Sequence, residues 1–140
     1  MILTDKQQKG LEIAVERYNA NEKYTVLAGY AGVGKSTLVQ HIIAALNLKS
    51  EDVVYCAYTG KATLVLSQKG CKNTSTLHKL LFKTTLNMRT GNYIRTPRYK
   101  LENDYKVVVV DEVSMLSKEF WELLIGHDVY VLALGDPGQL

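Results

Sequence analysis

Residues 24–37 read YTVLAGYAGVGKST and combine three features of one local structure. Residues 24–28 form a short apolar run that is typical of a buried strand. Residues 29–36 match the pattern G-x-x-x-x-G-K-[ST], in which glycines let backbone amides approach a phosphate where a Cβ would collide. Apolar residues then recur at helical spacing over 38–46, which predicts a helix whose amino terminus faces the same anion. The stretch therefore predicts a strand, a phosphate-binding loop and a helix.

Apolar runs alternate with amphipathic segments through the rest of the chain. Thr4 and Gln7 have the spacing of a capping box that opens a first helix. Further strands are predicted at 53–57, 106–110 and 129–134, and further helices at 61–68, 117–125 and, beginning in the cluster Thr74–Thr76, at 74–81. Strands that alternate with helices predict an α/β fold with a parallel sheet sandwiched by helices.

One segment interrupts this alternation. Residues 83–104 are polar, basic and rich in Thr and Tyr, with Thr90-Gly91-Asn92 near their centre. A turn sequence of this kind between alternating residues predicts a β-hairpin that protrudes from the edge of the sheet.

The composition excludes several classes of protein. The chain has 140 residues, of which 46% are hydrophobic and 22% charged, as in a single globular domain rather than a disordered chain. No apolar run approaches the ~18 residues of a membrane span, and the polar start lacks the apolar core of a signal peptide. Cys56 and Cys71 are too few for a disulfide framework. We therefore expect a cytoplasmic protein without a membrane partner.

The charge is distributed unevenly along the sequence. The net charge is +3, yet no Asp or Glu occurs between Asp52 and Glu102. The basic residues of this acid-free segment are Lys61, Lys69, Lys72, Lys79, Lys83, Arg89, Arg95, Arg98 and Lys100. A solvated Lys-rich surface is one interpretation, and a surface that faces a polyanion such as nucleic acid is the other.

The glycine-rich loop and a pair of acidic residues predict a site for ATP and Mg²⁺. Lys35 can reach the β- and γ-phosphates, and the Ser36 hydroxyl can bind Mg²⁺. Asp111 and Glu112 follow the most apolar strand, and carboxyl ends of parallel strands meet at one edge of a sheet. There Asp111 can hold Mg²⁺ through water and Glu112 can deprotonate a water against the γ-phosphate. The alternative for this pair is that it caps the following helix.

Several motifs in this order resemble those of the first RecA-like motor domain of superfamily 1 DNA helicases, most closely the RecD/Dda-like branch. GYAGVGKST at 29–37 resembles motif I, and AYTGKA at 57–62 resembles motif Ia. TSTLHKLL at 74–81 is similar to the T-[IL]-H-x-L-L element of this branch. DEVSM at 111–115 resembles motif II, and LGDPGQL at 134–140 resembles motif III. The resemblance covers nearly the whole chain, but Tyr58 stands where the family usually has Pro.

The resemblance implies a P-loop NTPase fold and assigns roles to residues. Residues 1–140 correspond to an incomplete first RecA-like domain with the hairpin inserted at about 83–104, and a second RecA-like domain is expected to be absent. The implied catalytic residues are Lys35, Asp111, Glu112 and Gln139, and Ser36 and Asp111 are the implied metal ligands. The implied nucleotide contacts are Gln7, at the adenine, and Gly29, Ala31, Gly32, Val33, Gly34, Lys35, Ser36 and Thr37, at the phosphates.

The resemblance also places single-stranded DNA on the acid-free segment and a duplex fork at the hairpin. The implied DNA-binding residues are Thr59, Gly60, Lys61, Thr76, His78, Arg89 and Arg95. Tyr58, Phe82, Tyr93 and Tyr99 can stack on bases, with core packing as the alternative for each. For His78 the alternative is a position at a helix end or at the edge of the core.

These residues predict an ATP-dependent DNA helicase or translocase, with 5′-to-3′ movement implied by the branch. The alternatives are the motor subunit of an ATP-dependent exodeoxyribonuclease, a nonhydrolysing DNA-binding scaffold and a small-molecule kinase. A nuclease or replication protein would be the partner, in a bacterial or phage-infected cell. No arginine lies near a nucleotide motif, so the 140 residues alone are expected to bind nucleotide weakly and not to unwind DNA.

Overall fold

The computed structural model describes residues 3–27 and 33–135, with side chains from residue 37 onward in the second range. The helices are α1 Asp5–Asn19, α2 Val33–Ala45, α3 Gly60–Gln68, α4 Leu77–Leu81 and α5 Lys118–Ile125. The strands are β1 Tyr24–Leu27, β2 Val53–Ala57, β3 Thr74–Thr76, β4 Phe82–Leu86, β5 Tyr93–Pro97, β6 Val107–Val110 and β7 Tyr130–Leu134. Short 3₁₀ turns occupy Ser50–Asp52 and Val113–Met115. None of the helices in these two ranges is both long enough and apolar enough to cross a bilayer.

Five parallel strands form the main sheet in the order β1-β7-β6-β2-β3. The central strands β6 and β7 are buried along their whole length, as their uninterrupted apolar sequences predict for strands covered on both faces. Val108 and Val110 point into one core with α4 and α5, and Val107 and Val109 into a second core with α1 and α2. The predicted parallel sheet between two helical layers is confirmed.

The Thr74–Thr76 cluster differs from its prediction. The sequence predicts the start of a helix there, but the three residues form β3, which pairs with β2 through Cys56 and Ser75. The helix α4 begins only at Leu77, and the Thr76 hydroxyl caps it by accepting the Lys79 amide at 3.2 Å. Thr suits both roles because its branched Cβ fits a strand and its hydroxyl fits an N-cap, so pairing with β2 decides the outcome.

The predicted hairpin is present but shorter than 83–104. Strands β4 and β5 pair from Phe82 with Pro97 to Leu86 with Tyr93, and a turn over 87–92 joins them. Gly91 has a φ of +74° in this turn, which explains a glycine at that position.

Residues 98–104 do not belong to the hairpin but return the chain to the sheet. The Arg98 amide donates to the Leu81 carbonyl at 2.7 Å, and Leu101 is buried in the core beside α4. The prediction extended the hairpin too far because this return segment is as polar as the strands. Only the buried Leu101 distinguishes it, and a single apolar residue is a weak signal in a sequence.

Candidate functional site

The carboxyl ends of three neighbouring strands meet at one edge of the sheet. The β1 strand ends at Leu27, where the glycine-rich loop begins, and β6 ends before Asp111 and Glu112. The β7 strand lies between them, and the Gly135 amide after its end donates to the Leu27 carbonyl at 3.2 Å. The fold therefore brings the entrance of the loop next to the acidic pair, as the sequence predicts.

Much of the predicted phosphate site lies outside the described residues. Gly29, Ala31, Gly32 and Gln139 lie there entirely, and the side chains of Val33, Gly34, Lys35 and Ser36 are not described. The backbone of α2 begins at Val33, directly after the loop, which is the arrangement that directs a helix amino terminus at a phosphate. Thr37 is half-buried in the first turns of this helix. The roles of these residues stay predictions.

Glu112 has an unusual backbone conformation beside a glycine. Its φ of 55° and ψ of 65° are left-handed, which is uncommon for a residue other than glycine and costs of order 1–3 kcal/mol. Gly135 has a φ of +109° and leaves no room for a side chain, because a Cβ there would lie 2.9 Å from Glu112 Oε1. The tight contact and the strained backbone hold the Glu112 side chain at the carboxyl ends of the strands.

Asp111 supplies the chemistry that a magnesium site needs. It is half-buried, and its amide is fixed by a 2.9 Å hydrogen bond to the Cys56 carbonyl of β2. Its carboxylate is the hard oxygen ligand that Mg²⁺ prefers, and Mg²⁺ in nucleotide sites is held by one or two such groups together with phosphates and waters. No cluster of three or more acidic, His or Cys side chains that could enclose a metal occurs in residues 3–27 and 37–135. A site shared with phosphate fits this donor set, with Asp111 as the protein carboxylate.

A cavity of about 220 Å³ lies against the acidic pair, and the sequence did not predict it. Its lining includes Tyr55, Lys69 and Cys71 together with Asp111 and Glu112. Burial raises the pKa of the Cys71 thiol, while Lys69 lowers it and Asp111 raises it. The pKa of Tyr55 rises to about 12, chiefly through burial. Both groups are therefore neutral at pH 7, and no motif in the sequence pointed to them.

Gln7 forms the predicted capping box. The Gln7 amide donates to Thr4 Oγ1 at 3.1 Å, and the Thr4 amide donates to Gln7 Oε1 at 2.9 Å. The same turns of α1 lie along β1, where Lys6, Lys9 and Thr25 line a shallow groove. This places Gln7 near the strand that leads into the glycine-rich loop, and its contact with adenine stays a prediction.

The predicted DNA-binding residues converge in part. A groove of about 580 Å³ runs between α3, α4 and the hairpin, and Gly60, Thr76, His78 and Arg95 all line it. Thr59 and Lys61 adjoin Gly60 in sequence, and both are exposed. Arg89 lies instead in the hairpin turn, with its amide bonded to Asn87 Oδ1 at 2.9 Å. The structure therefore brings most of the set to one groove and leaves Arg89 at the tip.

Other polar groups line the same groove, although the motifs did not single them out. These are Thr63, Thr74, Ser75, Lys79, Thr84 and Arg98. Thr84 is the cross-strand partner of Arg95, so the alternation of the hairpin was the signal that could have found it. Thr59 and Thr76 are the N-caps of α3 and α4, with their hydroxyls bonded to the amides of Ala62 and Lys79.

Not every basic residue of the acid-free segment is available for an anion. Arg98 makes a 3.0 Å ion pair with Glu102, and Lys100 lies 4.0 Å from Asp104. Carboxylates just beyond the segment therefore neutralise its last two cations. Arg95 has no ion pair among those found in the described residues and is exposed along β5.

The aromatic residues of the segment divide into two groups. Tyr58 and Phe82 are half-buried and pack against His78 and Phe120, as the core-packing alternative expects. His78 is accordingly a residue of the core edge. Tyr93 is 74% exposed on the hairpin, and Tyr99 is fully exposed in the return segment. These two rings are accessible for stacking on bases.

A family model, AAA_19, described as an AAA domain, matches residues 12–140. The chain belongs to this family. Its parallel sheet between helices is that of a P-loop NTPase, and the resemblance to the amino-terminal motor domain of RecD/Dda-like superfamily 1 helicases is confirmed.

Individual relatives of this AAA_19 chain carry helicase names. It is 26% identical to the ATP-dependent DNA helicase dda of Enterobacteria phage T4 over 99% of the chain and 32% of that protein. It is 30% identical to the ATP-dependent RecD2 DNA helicase of Deinococcus radiodurans over 96% of the chain and 19% of that protein. It is 35% identical to the ATP-dependent DNA helicase PIF7 of Trypanosoma brucei brucei over 87% of the chain and 12% of that protein. The chain thus spans a third or less of the length of these relatives.

Proposed function

We propose that this chain is the first RecA-like domain of an ATP-dependent DNA helicase that hydrolyses ATP and moves along single-stranded DNA. One observation supports the proposal above the others. The acidic pair follows β6, while Gly60 and Thr76 of the basic groove follow β2 and β3. All three strands are parallel neighbours, so both sites occupy the same edge of one sheet.

The chemistry assigned to each side chain follows from its position. Lys35 and the amides of the loop bind the phosphates, and Ser36 and Asp111 hold the magnesium, which neutralises charge on the phosphates. Glu112 accepts the proton of the attacking water. Gln139 is proposed to report the presence of the γ-phosphate to the DNA-facing surface. The relatives named as ATP-dependent DNA helicases support this class of reaction.

On the DNA side, cations and rings have separate roles. Arg95, Lys61 and the amino terminus of α3 bind phosphates, and Arg89, Tyr93 and Tyr99 contact the strand at the hairpin. The hairpin is proposed to separate the duplex at a fork. Movement from 5′ to 3′, action beside a nuclease or replication protein, and a cytoplasmic location remain predictions.

The complete protein that carries this chain tests the proposal directly. We expect ATP hydrolysis that needs Mg²⁺ and rises at least about tenfold with a single-stranded oligonucleotide. Partial duplexes with a 5′ or a 3′ overhang then report the direction, and only the 5′ overhang is expected to support unwinding. ATP-independent DNA binding without hydrolysis would favour the scaffold instead. Phosphoryl transfer to a small molecule, unaffected by DNA, would favour the kinase.

Replacing Arg95 with alanine is expected to weaken binding of single-stranded DNA and to reduce its salt dependence. Each lost phosphate contact lowers the slope of log Kd against log salt by about 0.7 for a single strand. Fluorescence anisotropy of a labelled oligonucleotide over a salt series measures the slope. Lys23→Ala is the control, because exposed Lys23 precedes β1 at the opposite, amino-terminal edge of the sheet. An unchanged slope for Arg95→Ala would exclude this phosphate contact.

A further inference from the structure

Four aromatic side chains form a cluster between the groove and α5. The aromatic cluster consists of Tyr58, His78, Phe82 and Phe120. The Phe120 ring contacts the other three, with centroid distances of 5.7 Å to Tyr58, 4.8 Å to His78 and 5.6 Å to Phe82. All three contacts are edge-to-face, a favourable geometry because the positive edge of one ring meets the negative face of the other. Phe120 is therefore the centre of the cluster.

The partners of Phe120 belong to the three elements that build the groove. Tyr58 directly precedes Thr59, the N-cap of α3. His78 is part of α4, and Phe82 is the first residue of the hairpin strand β4. His78 and Phe82 also line the groove themselves. A shift of the Phe120 ring therefore acts on all three walls of the groove together.

Phe120 is tied in turn to the acidic pair by a short, packed link. Val113 is fully buried next to Glu112, and Leu116 is buried three residues further on. The Leu116 amide donates to the Val113 carbonyl at 3.1 Å, and the Phe120 amide donates to Ser117 Oγ at 3.2 Å. Because this link is packed and hydrogen-bonded throughout, it transmits a displacement of Glu112 to α5 instead of absorbing it.

We propose that Phe120 is a positioning residue through which the ligand state at the acidic pair changes the affinity of the groove for single-stranded DNA. The inference rests on the proposed function, because it needs a nucleotide at one site and DNA at the other. Phe120 touches neither ligand. It acts through the aromatic cluster.

The test compares DNA affinity in two nucleotide states of the complete protein. The Kd of a labelled single-stranded oligonucleotide is measured without nucleotide and with a nonhydrolysable ATP analogue plus Mg²⁺. We expect the two Kd values of the unmodified protein to differ by at least about fivefold, the lower range for coupled sites. In Phe120→Leu the ratio is expected to fall to within about twofold of one. The affinity for each ligand alone is expected to change less than about threefold.

Trp121→Leu is the matched control. Trp121 is the next residue of α5 and is also half-buried, but its ring contacts Tyr24 of β1 at 5.0 Å and not the aromatic cluster. This variant is expected to keep the ratio of the unmodified protein. Phe120→Tyr keeps a ring in place and is expected to keep the ratio as well.

The outcomes separate the two proposals. An unmodified protein that binds neither nucleotide nor DNA would contradict the proposed function. A protein that binds both with a ratio of one, or a Phe120→Leu variant with the original ratio, would contradict the coupling alone, as would an equal loss in Trp121→Leu. If circular dichroism shows that Phe120→Leu is unfolded, Phe82→Leu removes the contact from the hairpin side and the same criteria apply to it.

Discussion

Replacing Glu112 with glutamine is expected to slow ATP hydrolysis about 10²–10⁴-fold, the usual loss when a general base is removed. Glutamine has nearly the shape of glutamate but cannot accept the proton of an attacking water. Its amide can occupy the same space beside Gly135, so ATP and DNA binding are expected to stay within about threefold. Steady-state hydrolysis and equilibrium binding of both ligands measure the two effects.

Glu119→Gln is the control for this substitution. Glu119 is an exposed carboxylate in the first turn of α5, only seven residues further along the chain. It removes the same charge without touching the carboxyl ends of the strands, so hydrolysis is expected to be unchanged. Hydrolysis at the original rate in Glu112→Gln would show that another group activates the water. Loss of ATP binding together with hydrolysis would indicate a structural role for Glu112.

Replacing Gly135 with alanine is expected to slow ATP hydrolysis by about 10²-fold, because an ångström-scale misplacement of a catalytic group has effects of that size. The new Cβ would lie 2.9 Å from Glu112 Oε1 and 3.5 Å from Glu112 Cα. The carboxylate must move, and its own left-handed backbone leaves few alternatives. Alanine at a φ of +109° also strains the backbone, and we expect the free energy of unfolding to fall by about 1–3 kcal/mol.

Gly91→Ala separates the strain from the collision. Gly91 also has a positive φ, +74°, but no atom surrounds the position where a Cβ would be placed. This variant is expected to lose stability without any change in DNA-independent ATP hydrolysis. Thermal unfolding followed by circular dichroism, with hydrolysis measured well below both transitions, makes the comparison. Equal loss of hydrolysis in both variants would show that strain alone, and not contact with Glu112, explains the effect.

Local patterns were sufficient to predict most of the fold. The capping box of Thr4 and Gln7, the apolar run of β6 and the Ser117 cap of α5 each depend on neighbours within a few residues, and all three are present. The β3 strand was missed because its identity depends on pairing with β2, about twenty residues away. Local preference alone favoured the Thr cluster as a helix start.

The candidate site shows the same division. The order of the motifs predicted that the loop after β1 and the acidic pair would meet, because parallel strands place their carboxyl ends together. The close approach of Gly135 to Glu112 and the convergence of Tyr58, His78 and Phe82 on Phe120 join residues far apart in sequence. Such contacts depend on packing between elements, which no single segment encodes.

The two strands of the hairpin pair only with each other within the described chain, and their base is held by Phe82 and by the bonds of Arg98 to Leu81 and Lys79. Insertions at 87–92 would therefore lengthen a free tip without displacing a strand of the main sheet, and longer surface loops carry only a small entropic cost. The reach of the hairpin is thus a modular property that evolution or protein engineering can adjust, for instance with an inserted fluorescent label, while the ATP-hydrolysing chemistry is left intact.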